Sequence, residues 1–198
     1  MSISIVIIAA GASRRMGTIK QLLPWKNTTL LGNAIQQAQK SKASEVVVVL
    51  GANRDQIKAK INSFNAKILH NKQWELGMGT SISCAIHYLN SENKECLGVL
   101  FILADQPLIT TEHYTALISA FNKSKGKIIA TAWDNKLGVP ALFDSSFFKD
   151  LSKLDKDFGA KQIISENAHL VHAIKSIEKL TDIDTMDVYR LMFEKYGA

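Results

Sequence analysis

The sequence has no apolar run as long as a membrane-spanning helix, and no basic leader with a cleavage site precedes its first apolar segment. It has only two cysteines, Cys84 and Cys96, and they lack the paired spacing of zinc sites or disulfide frameworks. These absences argue against a membrane protein and against a disulfide-stapled secreted domain. We therefore expect a cytoplasmic protein with no membrane partner and two buried thiols.

Signatures of several common enzyme classes are also missing. The chain has no H-E-x-x-H motif, no nucleophile elbow and no close Cys/His cluster. No internal repeat, low-complexity tract or proline- and serine-rich linker divides it. Its 198 residues can bury one substantial core, so we predict a single domain over residues 1–198.

The formal net charge is +6, with an isoelectric point near 9.3. The lysines are scattered through helical segments with acidic residues between them, and no basic stripe stands out. We therefore expect no nucleic-acid partner. A few convergent cations could instead surround a polyanionic small molecule.

Short β-branched segments alternate with segments of helical periodicity through the first two thirds of the chain. The predicted strands are Ile3–Ala9, Glu45–Leu50, Lys67–Leu69, Leu97–Leu103 and Lys127–Ala132. The predicted helices are Thr29–Lys40, Arg54–Phe64, Thr80–Leu89 and Glu112–Lys123. This order predicts an α/β fold, a Rossmann-like three-layer sandwich with a mostly parallel sheet that binds ligands at the carboxyl ends of its strands.

The regular alternation of strands and helices ends after about Leu137. The remaining predicted elements are a strand at Val139–Phe143, short helices near Ser145–Leu151 and Gly159–Glu166, a strand at Leu170–Ala173 and a last helix near Asp187–Tyr196. We expect this part to complete the sheet and to shape a second substrate pocket.

A glycine-rich, basic loop follows the first predicted strand. It comprises Ala9, Ala10, Gly11, Ala12, Ser13, Arg14, Arg15, Met16 and Gly17, with Lys20 shortly after. Small residues let backbone N–H groups approach phosphate oxygens, and the cations can neutralise a triphosphate. The glycine spacing matches neither a Walker A motif nor a dinucleotide fingerprint, and a flexible turn with surface cations is the alternative interpretation.

Two further segments carry polar groups at the ends of predicted strands. Asp105 follows an apolar strand and could ligate magnesium, which takes one or two carboxylates plus substrate phosphates, or could simply occupy a turn. A second glycine-rich turn opens a helix and contains Asn71, Gly77, Met78, Gly79, Thr80 and Ser81. Its N–H groups and hydroxyls could bind a base edge or an anion, or Thr80 or Ser81 could cap the helix.

The loop through Gly17, with Lys20 and the following Leu22-Leu23-Pro24, resembles the signature of the nucleotidyltransferases that make the guanine and cytosine dinucleotides of the molybdenum cofactor. The resemblance implies the fold of nucleotide-diphospho-sugar transferases. It also implies that the loop wraps the nucleotide phosphates and that Arg15 and Lys20 are catalytic, stabilising the leaving pyrophosphate. Asp105-Gln106-Pro107 is similar to the magnesium site of the cytidylyl branch, and Gly77 to Ser81 resembles that branch where the base is bound.

Three weaker similarities concern the metal and the acceptor. Asp184 resembles the position of a second metal carboxylate, although Asp182 is equally acidic and Asp184 or Thr185 could cap the last helix. Pro140 and Asp157 lie in segments that resemble the border of the acceptor pocket, and we expect Gln106, beside Asp105, to bind the acceptor as well. The segment with Pro140 could equally be an edge strand, and Asp157 an ordinary helix cap.

These resemblances imply a Mg²⁺-dependent enzyme that transfers CMP from CTP to the molybdopterin cofactor and releases pyrophosphate. Residues 1–136 would then be the nucleotide-binding half and residues 137–198 the acceptor-side half. The alternatives are guanylyl transfer to the same acceptor, transfer to a sugar or alditol phosphate, and a non-catalytic protein that binds nucleotide or cofactor. A molybdenum enzyme or its chaperone would receive the product.

Overall fold

The β-branched segments of the sequence become the strands of a central sheet in the computed structural model, which describes residues 2–92, 95–123, 126–134, 136–156, 159–176 and 180–197. The strands are β1 (Ser2–Ala9), β2 (Pro24–Trp25), β3 (Thr28–Thr29), β4 (Glu45–Leu50), β5 (Lys67–His70), β6 (Cys96–Leu103), β7 (Ile128–Trp133), β8 (Lys136–Asp144) and β9 (Val171–Lys175). The short pair β2–β3 forms a separate hairpin that the sequence analysis did not predict.

The helices between the strands are α1 (Leu30–Gln39), α2 (Arg54–Ile61), α3 (Met78–Glu92), α4 (Thr111–Asn122), α5 (Phe148–Leu151), α6 (Ala160–Glu166) and α7 (Met186–Tyr196). Short 3-10 turns cover Arg14–Met16, Lys20–Leu22, Trp74–Leu76, Ser145–Phe147 and Ala168–Leu170. In the part of the chain that the structure covers, no helix combines the length and apolarity needed to cross a membrane.

The central sheet has seven strands in the order β5-β4-β1-β6-β8-β7-β9. Among the described strands of this seven-stranded sheet, β8 alone runs against its neighbours, since it pairs antiparallel with β6 and β7 while the other pairings in the sheet are parallel. The predicted mostly parallel α/β fold is thus confirmed. Parallel pairing of β1 with β6 sets Ile8 opposite Leu103, so the loops after these two strands leave the same edge of the sheet.

Strand β1 is buried on both faces, which is why its sequence is almost continuously apolar. Ile3, Ile5 and Ile7 pack on one face with α1 and α4, whereas Val6 packs on the other with α3, α5 and α6. The result is three layers, helices on each side of a sheet. A third, smaller cluster joins Trp25 of the hairpin to Ile183 and Tyr189 near α7.

The structure corrects several boundaries. Helix α3 begins at Met78, so the interpretation in which Thr80 or Ser81 caps this helix is wrong; the Thr80 hydroxyl instead donates to the Gly77 carbonyl within the first turn, at 2.8 Å. Thr29 caps α1 rather than starting it, because its hydroxyl accepts from the Gly32 N–H at 3.0 Å. Cys96 is buried as expected, but Cys84 is only half-buried.

Candidate functional site

The glycine-rich loop turns sharply as it leaves β1. Ser13 and Gly17 both have left-handed backbones, with φ of 54° and 65°, on either side of the 3-10 turn Arg14–Met16. An added Cβ at Gly11 would meet no atom within 4 Å, so the loop faces open space there. The loop forms one wall of a cavity of about 280 Å³, and Asp105 and Asp184 line the same cavity.

Lys20 lies between two carboxylates at this cavity. Its Nζ is 2.6 Å from Oδ2 of Asp105 and 3.2 Å from Oδ1 of Asp184. Burial lowers the pKa of Lys20, but the charge and hydrogen bond of Asp105, followed by those of Asp184, outweigh it and raise that pKa above 10.5. Lys20 therefore carries a positive charge near neutral pH, and the three side chains form a charged cluster.

Asp105 reaches the cavity from the carboxyl end of β6. Burial raises the pKa of Asp105 above 3.8, and the Lys20 ammonium acts in the opposite direction. The 2.6 Å contact between Lys20 Nζ and Asp105 Oδ2 has the geometry of an ammonium that donates to a carboxylate. The second oxygen of Asp105, Oδ1, is buried and has no hydrogen-bond partner among the described residues. A buried carboxylate oxygen is costly to leave unpaired, so this atom indicates a missing cationic or donor ligand.

The structure separates the two candidate aspartates near the C-terminus. Asp184 pairs with Arg15 at 3.1 Å as well as with Lys20. Burial raises the pKa of Asp184, but Lys20 and then Arg15 outweigh it, and the pKa falls below 3.8. Asp182 instead accepts a hydrogen bond from the Gln106 amide at 2.9 Å. Between them, the Ile183 N–H donates to the Asp105 carbonyl at 2.9 Å and fixes this segment beside β6.

The donor set suits magnesium. Among the described residues, no three His, Cys, Asp or Glu side chains are grouped as a metal site, so protein ligands are few. Asp105 and Asp184 supply hard oxygen donors on either side of Lys20, and Asp105 has a free buried oxygen. Magnesium is commonly held by one or two carboxylates together with substrate phosphates, so these two residues fit it.

The second glycine-rich turn forms a neighbouring cavity of about 410 Å³. Gly77, Met78 and Ser81 line it together with the glycine-rich loop of residues 9–17, named the phosphate loop for its expected role. Gly77 has φ of 123°, a conformation that favours glycine. Asn71 is buried, and its amide donates to the hydroxyls of Thr80 at 2.8 Å and Ser81 at 2.9 Å. Asn71 and Thr80 thus hold the turn together rather than lining the cavity, and the Gly79 N–H donates to the Lys156 carbonyl.

A third cavity, of about 190 Å³, lies on the other side of Met78 and is mostly apolar. Its described lining includes the predicted Gln106 and also Trp133, Leu137 and Val139. Gln106 is buried, and its Oε1 has no hydrogen-bond partner among the residues that the structure covers. Pro140 is buried in β8, where its carbonyl accepts from Thr131 at 2.6 Å, and it does not line this cavity. Asp157 lies outside the described residues.

Ile8 and Met78 line all three cavities, so the three adjoin one another at the carboxyl edge of the sheet and together form a groove there. Asp182, which the sequence left as an alternative to Asp184, lines the apolar cavity. Trp74 and Trp133 also line this groove, and neither was predicted from the sequence. No short-range pattern marks them, since each reaches the groove from a separate element. Sequence analysis also missed Gln21, whose buried side chain contacts the loop from behind.

Positive charge beside an unpaired carboxylate oxygen suits the transfer of a nucleotidyl group, and comparison with known proteins assigns the chain to the nucleotidyltransferases. More narrowly, the chain belongs to the family of MobA-like NTP transferase domains, which it matches over residues 5–172. The resemblance found in the sequence is therefore confirmed at the level of the family.

Three curated relatives span nearly the whole chain. The nicotine blue oxidoreductase of Paenarthrobacter nicotinovorans is 29% identical, over 94% of this chain and 95% of that protein. The purine catabolism protein PucB of Bacillus subtilis is 27% identical, over 94% of each. The molybdenum cofactor cytidylyltransferase of Escherichia coli is 26% identical, over 98% of this chain and 97% of that protein.

Solved structures share the fold over almost the full length. Rv0371c from Mycobacterium tuberculosis H37Rv superposes with a TM-score of 0.86 at 25% identity, covering 98% of both chains. A complex of Rv0371c with manganese superposes with a TM-score of 0.83 at 23% identity, covering 98% of this chain and 100% of that one.

Proposed function

We propose that this nucleotidyltransferase transfers CMP from CTP to the molybdopterin cofactor in a reaction that requires Mg²⁺ and releases pyrophosphate. The observation that carries the proposal is the cluster in which Lys20 lies between Asp105 and Asp184. At one wall of a cavity, the cluster provides cationic groups that can bind phosphate oxygens. It also provides carboxylates that can bind a divalent cation. A molybdenum enzyme or its chaperone would then receive the product.

The reaction forms a bond between an oxygen of the acceptor's terminal phosphate and the α-phosphorus of the nucleotide. The bond between that phosphorus and the bridging oxygen breaks, and pyrophosphate leaves with the electron pair. A phosphate nucleophile is already ionised near neutral pH, so the protein mainly aligns the reactants and balances charge. The chain therefore needs no strong general base at this step.

Lys20 and Arg15 would offset the negative charge that develops on the departing pyrophosphate. The Lys20 ammonium is mostly buried, and a preorganised charge acts more strongly where water is excluded. Arg15 is largely exposed and reaches the cluster only through Asp184. We therefore assign the larger share of the charge stabilisation to Lys20.

Asp105 and Asp184 would hold the magnesium ion, with oxygens of the triphosphate completing its coordination. When bound, the ion supplies a positive charge that polarises phosphoryl oxygens. The complex of Rv0371c with manganese supports the use of a divalent cation in this fold. The unpaired Oδ1 of Asp105 supports the same assignment in this chain.

CTP is proposed because the turn from Gly77 to Ser81 resembles the cytidylyl branch and lines the cavity next to the phosphate loop. The relative named molybdenum cofactor cytidylyltransferase supports both the base and the acceptor. Relatives of similar identity have other names, nicotine blue oxidoreductase and purine catabolism protein, so identity by itself does not choose the acceptor. The choice of acceptor therefore rests on the chemistry of the groove.

The apolar third cavity favours a flat ring over a sugar as acceptor. Trp133, Leu137 and Val139 offer apolar surface, whereas a sugar or alditol would require many polar partners for its hydroxyls. Gln106 offers one buried acceptor oxygen that an N–H of a heterocycle could satisfy. A pterin has both features, a flat ring system and N–H donors at its edge.

One assay tests the proposal. Pyrophosphate release is measured with Mg²⁺ and molybdenum-loaded molybdopterin, and CTP, GTP, ATP and UTP are compared; a parallel arm offers sugar and alditol phosphates as acceptors. We expect turnover with CTP and molybdopterin and its loss when Mg²⁺ is chelated. Preferential turnover of GTP would replace the cytidylyl assignment with a guanylyl one. Activity confined to a sugar or alditol phosphate would overturn the acceptor.

A further inference from the structure

Gln21 is a buried amide directly behind the phosphate loop. Its side chain is 4% exposed. The Nε2 group donates to the carbonyl of Ala9 at 3.0 Å and to the carbonyl of Gly11 at 2.9 Å, which uses both of its hydrogens. Its Oε1 accepts from the hydroxyl of Ser13 at 3.4 Å. One side chain thus contacts three points along the loop.

The same contacts connect the loop to Lys20. The Ser13 hydroxyl accepts from the backbone N–H of Lys20 at 3.3 Å, and Gln21 is the next residue in the 3-10 turn Lys20–Leu22. The loop backbone between these contacts includes Ser13 in a left-handed conformation, which a non-glycine residue adopts only at a cost. The bonds from Gln21 offset that cost and fix the distance between the loop and the Lys20 turn.

We propose that Gln21 is a positioning residue that holds the phosphate loop in its nucleotide-binding conformation before the nucleotide arrives. The inference rests on the proposed role of the loop as the triphosphate site. Binding to an ordered loop avoids the entropy loss of ordering it, so a preorganised loop binds more tightly. Gln21 itself is buried and does not touch the reacting atoms.

The test compares Gln21→Met with the wild-type protein. Methionine has nearly the same length and suits a buried position, but it can neither donate to the two carbonyls nor accept strongly from Ser13. We expect the Kd for Mg²⁺–CTP to rise about tenfold or more, the affinity equivalent of ordering roughly one backbone residue. The kcat at saturating CTP should change less than the KM for CTP.

Amide hydrogen exchange gives a second readout that does not depend on activity. Residues 9–22 should exchange faster in Gln21→Met, while β4 and β6 keep their protection. Gln39→Met is the matched control, since the Gln39 amide also donates to a backbone carbonyl, that of Asn65 at 2.9 Å, but on an exposed surface. The control should leave both the Kd and the exchange of residues 9–22 unchanged.

The outcomes are distinct. A folded Gln21→Met protein with unchanged Kd and unchanged loop exchange overturns the inference. If that variant does not fold, Gln21→Glu replaces it, because it keeps an acceptor oxygen but can donate at most one hydrogen where Gln21 donates two. It must show the same faster amide hydrogen exchange in residues 9–22. If the wild-type protein binds none of the four nucleotides, the proposed function fails. In that case, amide hydrogen exchange of residues 9–22 in the variant still tests the role of Gln21, because it does not depend on nucleotide binding.

Discussion

The Lys20 ammonium contacts both Asp105 and Asp184, at 2.6 Å and 3.2 Å, so a cation of the protein already balances the two proposed metal ligands. A divalent ion that joins these carboxylates meets the repulsion of Lys20 unless phosphate oxygens attract the ammonium at the same time. Metal and nucleotide should therefore bind more tightly together than either does alone.

The variant Lys20→Met tests this competition. Loss of the ammonium should lower the Kd for Mn²⁺ in the absence of nucleotide by about tenfold or more, because Asp105 then lacks its counter-charge and Asp184 keeps only the exposed Arg15. The same variant should lower the rate of pyrophosphate release by roughly 10²–10³-fold, as for the loss of a preorganised donor. Calorimetric titration with Mn²⁺ measures the first effect. Lys149→Met on the exposed face of α5 is the control, and weaker Mn²⁺ binding by Lys20→Met would contradict the argument.

The variant Asp105→Asn tests the proposed role of Asp105 as a metal ligand without changing the size of its side chain. Asparagine keeps the shape but removes the charge, so we expect Mn²⁺ binding in the presence of CTP to weaken and pyrophosphate release to fall by at least roughly 10²-fold. The far-UV circular dichroism should be unchanged, because Asp105 lies at the end of β6 and not within it. The exposed Asp155→Asn serves as the control. A rate close to that of the wild type would remove Asp105 from the site.

At the scale of elements, the sequence located every strand of the central sheet and all seven described α-helices, because β-branched runs and helical periodicity report burial directly. Predictions from the sequence were less accurate where a single tertiary contact sets the end of a helix. Helix α3 extends back to Met78 because Asn71 and the Gln73 carbonyl bind the Thr80 hydroxyl from another segment. The β2–β3 hairpin was missed because each strand has only two residues, too few to show a period.

Asp144, the last residue of β8, should make the stability of the protein depend on pH. The Asp144 side chain accepts from the Ser146 N–H at 2.9 Å, and Lys127 lies 3.6 Å away. Burial raises the pKa of Asp144, but the Ser146 hydrogen bonds and then Lys127 outweigh it, so the folded pKa lies below 3.8. A lowered folded pKa means that the contribution is present above the unfolded pKa and is lost as pH falls through the folded one.

We therefore expect Asp144→Asn to destabilise the protein near pH 7 by about 0.2–1 kcal/mol, a modest value because the carboxylate is partly exposed and asparagine keeps an oxygen that can accept from the Ser146 N–H. The difference from the wild type should shrink as pH falls below 3.8, the region in which the folded carboxylate takes up its proton. Urea unfolding at several pH values measures it, with the exposed Asp150→Asn as the reference. A difference that stays constant down to pH well below 3.8 would argue against the ion-pair and capping account.

At the scale of the whole molecule, the groove joins segments from both parts of the chain. Trp74 lines the cavity beside the phosphate loop, and Trp133 lines the apolar cavity beyond Met78. The structure thus places one tryptophan in each of the two cavities that adjoin the cavity lined by Lys20. The proposed division into a nucleotide half, residues 1–136, and an acceptor half, residues 137–198, is approximate in this respect, since Trp133 precedes the boundary.

The two tryptophans give a reciprocal prediction. Trp133→Ala should raise the KM for the acceptor about tenfold or more while leaving the Kd for CTP nearly unchanged, since stacking on one aromatic side chain contributes ~1–3 kcal/mol. Trp74→Ala should show the opposite pattern and is the matched variant. Steady-state kinetics with each substrate varied in turn measures both. If both variants affected only the nucleotide, the apolar cavity would not be the acceptor site.

The sequence by itself determined the layered α/β fold and the edge of the sheet at which the candidate site lies. Both follow from short-range patterns, because strand period, helix period and the handedness of crossovers depend on neighbouring residues. The same patterns singled out the phosphate loop and Asp105, since small residues and a carboxylate at strand ends stand out against apolar runs.

Only the tertiary structure decided which side chains meet. Lys20 and Asp184 are 164 residues apart in sequence, and nothing local distinguished Asp184 from Asp182. The pairing of the Ile183 N–H with the Asp105 carbonyl turns Asp184 towards Lys20 and Asp182 towards Gln106. Gln21 was likewise indistinguishable from a solvated glutamine until packing buried it under the loop. Such contacts depend on the register and packing of distant segments, which no single stretch of sequence contains.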